Sequence, residues 1–189
     1  LVRIDIDAEQ LDRLPARVRI VGDSAEAVEA LIDALGPGTP AEGGPARAAA
    51  TVAEAHGELS PAMKAQVVVV EAIRDALPGS IIVGDSTQPV YAANLWYDHD
   101  RPGGWFNAAT GFGALGFGPP AAIGAALARP DATVVCLAGD GGLQFTLPEL
   151  GAAVDAAAAV IFIVWNNRGY REIETSMTAV GVEPVGVSP

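Results

Sequence analysis

Ala132-Thr-Val-Val-Cys-Leu-Ala-Gly-Asp-Gly-Gly142 and Ala159-Val-Ile-Phe-Ile-Val-Trp-Asn-Asn-Arg-Gly-Tyr170 decide how this 189-residue chain is to be read. Each is a continuous apolar run that breaks into a polar, glycine-bearing turn. A strand that is apolar on both faces must be covered on both, which is the condition of a parallel sheet between helices. Leu147 to Ala157 lies between the two runs and reads as the crossover helix, and another helix begins at about Gly169. Upstream, Ser80-Ile-Ile-Val-Gly84 is a third strand, preceded by helical stretches at 46–58 and 61–77, with an alanine-rich helix at 119–128. Alternating helices and buried strands give the fold class: α/β, doubly wound, a mainly parallel sheet with helices on both faces.

Further out, 1–7 and 18–22 read as strands and 24–35 as a short helix, followed by a run rich in Gly and Pro. Gly and Pro break both helix and sheet. Residues 1–35 are therefore expected to be the end of a preceding domain, 36–47 a linker, and 48–189 the main domain. Trp105 to Thr110 reads as a poor buried strand.

Composition narrows the function. Half of the residues are hydrophobic and 18% are charged, enough for a packed core. The net charge of −12 argues against nucleic acid or an anionic membrane surface as partner. An anionic ligand would have to be met by backbone amides or a metal ion. The single cysteine, Cys136, lies inside an apolar run; it excludes an internal disulfide and is expected to be a buried thiol. No apolar stretch reaches the roughly 18 residues of a membrane span, and the first residues lack a signal-peptide pattern, so a cytoplasmic protein is expected.

Ligands of parallel α/β sheets bind at the carboxyl ends of the strands. Three such ends carry polar turns: Gly84-Asp-Ser-Thr-Gln88, Gly139-Asp-Gly-Gly142 and Asn166-Asn-Arg-Gly-Tyr170. Asp140 sits between glycines that let backbone approach a ligand closely. Asn167 follows 27 residues later, one helix and one strand away. One carboxylate, one side-chain amide and the Gly169 carbonyl suit a hard divalent cation such as Mg²⁺, with positions left for phosphate and water. Taken singly, Asp140 reads as a helix cap and Asn166-Asn167 as a turn. Their pairing at two strand ends is the signal.

Gly139-Asp-Gly141 with Asn166-Asn167 about two dozen residues on resembles the cofactor motif of thiamine diphosphate-dependent enzymes. The stretch from Gly111 to Ala125 is similar to the segment before that motif in acetolactate synthases and benzoylformate decarboxylases, and 1–7 with 18–23 resembles the end of their central domain. Trp165 to Ile173 and Glu183 to Val187 resemble the type that decarboxylates 5-guanidino-2-oxopentanoate. The resemblance implies a thiamine diphosphate-binding fold and a decarboxylase (a lyase) acting on a 2-oxo acid. An acetolactate synthase-like carboligase, a transferase, is the alternative. It implies that Asp140, Asn167 and the Gly169 carbonyl hold Mg²⁺. Ser86, Thr87, Gln88, Gly139, Gly141, Gly142 and Tyr170 would hold the diphosphate end, and Gly113 the aminopyrimidine. Leu115 would be the bulky residue that bends the cofactor, and Glu172 a substrate-facing residue, both with catalytic roles. The family's glutamate that drives pyrimidine tautomerisation belongs to an N-terminal pyrimidine-binding domain, usually of a second subunit in a homodimer or homotetramer. Without that domain and the helices expected after residue 189, the resemblance implies half a cofactor site that is inactive alone.

Two other readings compete. Gly111-x-Gly113-x-x-Gly116 matches a dinucleotide fingerprint for an NAD-binding domain, though the position about 20 residues on is apolar rather than acidic. A non-catalytic assembly module is the other. His56 reads as a solvated helix-end residue, His99 as a loop residue within possible reach of substrate, and Trp96, Trp105 and Trp165 as core or interface.

Overall fold

The computed structural model describes residues 1–38 and 42–188, residue 110 by its backbone alone. Residues 39–41 of the expected linker, and residue 189, lie outside the described residues. The chain forms two compact units, Leu1–Thr51 and Val52–Pro189.

In the first unit, β1 (Val2–Asp5) and β2 (Val18–Val21) pair in parallel, Val2 opposite Val18 and Asp5 opposite Val21. Asp23 caps α1 (Ser24–Leu35), its carboxylate accepting from the Ala25 and Glu26 amides, and Gly36 ends the helix at φ +64°. The next helix, α2 (Gly44–Glu58), begins inside the stretch that reads as linker.

The second unit is built on one four-stranded parallel sheet. Its strands are β3 (Ile81–Gly84), β4 (Trp105–Asn107), β5 (Val134–Gly139) and β6 (Val160–Trp165), in the order β4-β3-β5-β6. The chain moves outward from β3 to β4 and then returns to the other side of β3. The carboxyl ends of β3 and β5 therefore flank a topological switch point, where α/β sheets open a crevice. Every residue of β3 and β5 is buried. Alternate side chains face opposite layers. Ile81, Val83, Val134, Cys136 and Ala138 pack on α5 (Gly118–Ala128), through Ala122 and Ala126. Ile82, Val135 and Leu137 face Val70 and Ile73 of α3 (Pro61–Ala76) and Val90 and Ala93 of α4 (Gln88–Trp96). Each fully buried Val, Ile or Leu contributes about 1.5–3 kcal/mol. The doubly wound α/β class expected from the sequence is the observed one.

Three details differ from the sequence expectation. The short helix α4 was not anticipated. β4 does form, as a three-residue edge strand paired in register with β3 (Ile82 with Trp105, Gly84 with Asn107), with Trp105 packed half-buried on the core. The crossover after β5 is two short helices, α6 (Asp140–Phe145) and α7 (Glu149–Asp155), because the chain turns at Thr146 to Pro148. Helix α8 (Arg171–Ala179) follows β6. Among the described residues, no helix is long and apolar enough to cross a membrane. Cys136 is fully buried, and burial first, then the nearby Asp85 charge, pushes its thiol up to about 12.

Candidate active site

The turns after β3, β5 and β6 come together around a cleft of about 230 Å³. Ser86, Thr87 and Gln88 line it from the first turn, Gly139, Asp140, Gly141 and Gly142 from the second, and Asn167, Gly169 and Tyr170 from the third. Gly113 and Leu115 border it from the loop before α5, and Glu172 from the first turn of α8. The residues assigned to cofactor, metal and substrate thus share one cleft.

Local chemistry explains the shape of each turn. A Cβ on Gly141 would lie 2.5 Å from Tyr170 Cε1, so only glycine lets α6 start directly beneath that ring. A Cβ on Gly139 would meet Thr87 Oγ1 at 3.0 Å, which keeps the first and second turns in close contact. The first amides of α6 have no acceptor within the helix and are free for a ligand. Ser86 Oγ donates to the Gly113 carbonyl at 3.0 Å, tying the glycine loop to the end of β3.

The third turn is held over the second. The Gly169 amide donates to Asp140 Oδ2 at 3.1 Å, and Arg171 Nε donates to the Asn167 carbonyl at 2.9 Å. Asn167 Nδ2 donates to Gln88 Oε1 at 3.0 Å, which turns Asn167 Oδ1 the other way. That oxygen lies 3.2 Å from Asp140 Oδ1 and 2.7 Å from the Gly169 carbonyl oxygen. With the Asn167 amide turned over, its nitrogen would donate to both, whereas in this orientation three oxygens, from a carboxylate, an amide and a carbonyl, face one another. Such a set repels itself and fits a hard divalent cation. Among the described residues no three His, Cys, Asp or Glu side chains gather as metal ligands, and this oxygen set contains a single carboxylate.

Asp85 is one residue that sequence reasoning missed. It is fully buried, and its carboxylate accepts from the Ser86 amide at 2.7 Å and from the Gly116 amide at 3.1 and 3.0 Å. Burial pushes its carboxyl above the ordinary carboxylate value, against the pull of the Ser86, Gly116, Gly118 and Phe117 amides. Asp85 thereby pins the loop that carries Leu115. An acidic residue immediately after a wholly apolar strand was the available signal. Tyr91 and Ile173 also line the cleft. Tyr91 was missed with α4 itself, one helical turn beyond Gln88.

Glu172 donates nothing and accepts from Gln88 Nε2 at 2.7 Å. Glu174 is turned to Arg171, with which it forms an ion pair. His99 stands in a loop outside the cleft, its side chain 7% exposed. His56 lies in the last turn of α2, its ring 4.6 Å from that of Trp96.

Residues 83–187 match the family described as thiamine pyrophosphate enzyme, C-terminal TPP binding domain. The chain is 35% identical over its whole length to a probable 2-ketoarginine decarboxylase of Pseudomonas aeruginosa, covering 34% of that protein. It is 30% identical over 89% of its length to the acetolactate synthase isozyme 3 large subunit of Escherichia coli, covering 31% of it. It superposes on a thiamine diphosphate-dependent 4-hydroxybenzoylformate decarboxylase of Rhodococcus jostii RHA1 with a TM-score of 0.69, at 23% identity, over 99% of this chain and 34% of that one. The chain spans about a third of the length of these relatives.

Proposed function

Since the chain belongs to the thiamine pyrophosphate (thiamine diphosphate) enzymes, through their C-terminal cofactor-binding domain, we propose that its cleft holds the diphosphate end of thiamine diphosphate through Mg²⁺, in an enzyme that decarboxylates a 2-oxo acid. The observation that carries this reading is the convergence of Asp140, Asn167 and the Gly169 carbonyl in one cleft at the switch point of the sheet. When bound, the cofactor supplies a thiazolium ring that takes up the electrons released with CO₂. The chain's own residues bind and orient. Asp140 Oδ1, Asn167 Oδ1 and the Gly169 carbonyl are the Mg²⁺ ligands. Gly141 and Gly142 amides, with Ser86, Thr87, Gln88, Gly139 and Tyr170, form the diphosphate cradle. Leu115 and the Gly113 carbonyl orient the rest of the cofactor, and correct orientation is worth several kcal/mol of barrier.

Glu172 recognises the substrate tail in this proposal. A carboxylate matches a guanidinium in two-pronged fashion. Similarity to a probable 2-ketoarginine decarboxylase supports 5-guanidino-2-oxopentanoate as the substrate. Carboligation of the acetolactate synthase type is the second reading, favoured by the similarity to that enzyme. The reading brings with it a cytoplasmic homodimer or homotetramer in which a pyrimidine-binding domain, usually from a second subunit, completes the site. It also takes 1–35 as the end of a central domain, 36–47 as linker and 48–189 as the cofactor domain. The compact units Leu1–Thr51 and Val52–Pro189 support a division near there.

Asp140→Ala tests the metal site. It should abolish measurable binding of thiamine diphosphate with Mg²⁺ by calorimetry and leave the ligand-free Tm within a few degrees of the parent. Unchanged cofactor affinity would remove the reading. Glu172→Gln tests the substrate. At saturating Mg²⁺ and thiamine diphosphate, where any weakening of the metal site is masked, the kcat/KM for 5-guanidino-2-oxopentanoate should fall roughly 10- to 100-fold, the worth of a charged hydrogen bond, with pyruvate turnover nearly unchanged. A parallel loss on both substrates would count against recognition by Glu172.

A further inference from the structure

Gln88, the first residue of α4, spans the cleft from helix α8 to the turn after β6. Its Nε2 donates to Glu172 Oε1 at 2.7 Å, while its Oε1 accepts from Asn167 Nδ2 at 3.0 Å and from Trp165 Nε1 at 3.4 Å. Both ends of this amide are therefore specified. A carboxylate offers only acceptors and an indole N–H only a donor. Turning the Gln88 amide over would set its oxygen against the Glu172 carboxylate and its nitrogen against the Trp165 N–H.

The contacts of Asn167 with Asp140 and Gly169 by themselves favour the opposite orientation. Turned over, its amide nitrogen would sit 3.2 Å from Asp140 Oδ1 and 2.7 Å from the Gly169 carbonyl, making two hydrogen bonds. That competing state places a donor where the cation needs an oxygen. It would also bring the Asn167 oxygen to 3.0 Å from Gln88 Oε1, acceptor against acceptor. The fixed Gln88 is what opposes the turned-over state.

We propose that Gln88, held in place by Glu172, is a positioning residue that orients the Asn167 amide so that its oxygen is presented to the divalent cation. The inference rests on the Mg²⁺ site proposed above and adds a coupling: a carboxylate on the substrate side of the cleft fixes a ligand on the metal side.

The test is Mn²⁺ affinity, measured by electron paramagnetic resonance on the whole protein with thiamine diphosphate at a fixed concentration. Gln88→Ala should weaken Mn²⁺ binding about 10-fold, the scale of one lost net hydrogen bond. In an Asn167→Asp background both side-chain atoms are oxygens and there is nothing to orient. There, Gln88→Ala should cost clearly less Mn²⁺ affinity than it does in the parental background, since only its part in the diphosphate cradle is lost. Gln88→Met, which keeps length and helix propensity, should repeat both results where the alanine variant is poorly folded. Unchanged Mn²⁺ affinity in Gln88→Ala and Gln88→Met overturns the proposal, as does an equal penalty in both backgrounds. Asp140→Ala separates the two levels of inference. If it retains parental Mn²⁺ affinity, the metal site and the role of Gln88 fall together. If it loses Mn²⁺ while the Gln88 variants do not, only the role of Gln88 falls.

Discussion

The two ends of the second unit's sheet are both polar, yet they are polar in opposite ways. At the amino end of β3, donors meet acceptors. The Tyr97 hydroxyl and His99 Nδ1 are 2.6 Å apart, and His99 Nε2 lies 3.0 Å from the Ser80 carbonyl. Asp100 Oδ2 accepts from the Gly79 amide, and Arg101 donates to the Gly79 carbonyl. Burial, chiefly, raises the Tyr97 phenol to about 12, so it stays neutral across the physiological range. At the carboxyl end, acceptors face acceptors, in the trio from Asp140, Asn167 and Gly169. The first arrangement is complete in itself and holds the loop before β4 in place. The second is complementary to something outside the chain. Polar residues at a sheet edge are thus not equal evidence of function; the sign of what they leave over distinguishes them.

Gly169 is where breaking that contrast should have the largest effect. Its φ is +150°, and a Cβ there would meet the Val187 carbonyl oxygen at 2.6 Å. The obstacle is backbone, and that same carbonyl accepts from the Tyr170 amide at 2.8 Å, so it cannot simply yield. Gly169→Ala combines strain of about 1–3 kcal/mol with displacement of a carbonyl in the oxygen trio. Mg²⁺ and thiamine diphosphate affinity should fall by about 10- to 100-fold, on the same scale, with a lower Tm as well. Calorimetry and thermal melts on one preparation check both, and parental affinity would detach Gly169 from the site.

What the residues told in advance follows from the same contrast. Continuous apolar runs and the turns that end them are local features, and they revealed the parallel sheet, its three polar turns and the grouping of Asp140, Asn167 and Gly169, while Gly113, Leu115 and Glu172 came from the family resemblance. β4 could not be read from its own residues, because an edge strand with one buried position, Asn107, exists through its pairing with β3. The nine-residue α4 buries Pro89, Val90, Ala92 and Ala93, too little pattern to announce a helix before its neighbours are known. The task of Asp85, accepting from the amide of Gly116 some thirty residues on, and the reach of Gln88 to Asn167 and Glu172 join positions far apart in sequence. Motif residues are visible because their spacing is local. The residues that hold them in place are visible only in three dimensions.

At the amino end the expected effect is smaller and of another kind. His99 lies so close over the backbone that a Cβ on Gly104 would come within 2.0 Å of its Nε2. His99→Ala removes a nearly buried ring and leaves the Tyr97 hydroxyl and the Ser80 carbonyl without it. The loss should be about 2–3 kcal/mol of stability, on the scale of a truncated buried side chain with its hydrogen bonds. Denaturant melts should show it, while cofactor affinity stays at the parental value. A fall in affinity larger than the fall in stability would mean that the two ends of the sheet are coupled.

The smallest effect belongs to Ser80, whose hydroxyl is the exception at that end. The residue is 1% exposed, its amide donates to the Leu77 carbonyl and its carbonyl meets His99. Its Oγ is buried without a hydrogen-bond partner. Such an atom has given up water and received nothing, a cost of roughly 1–3 kcal/mol. Ser80→Ala relieves that cost and leaves only the small void of one oxygen, so the two changes oppose each other. The net should be a gain of up to about 1 kcal/mol, after the loss of packing around the removed atom. Cofactor affinity should not move. A loss of stability would mean that the hydroxyl has a partner, such as an ordered water, and that this end of the sheet is more fully satisfied than its protein groups indicate. The gain, if found, would sharpen the comparison to a single atom type. An unmatched oxygen buried alone at the amino end only costs stability, whereas three set together at the carboxyl end make a place for a cation.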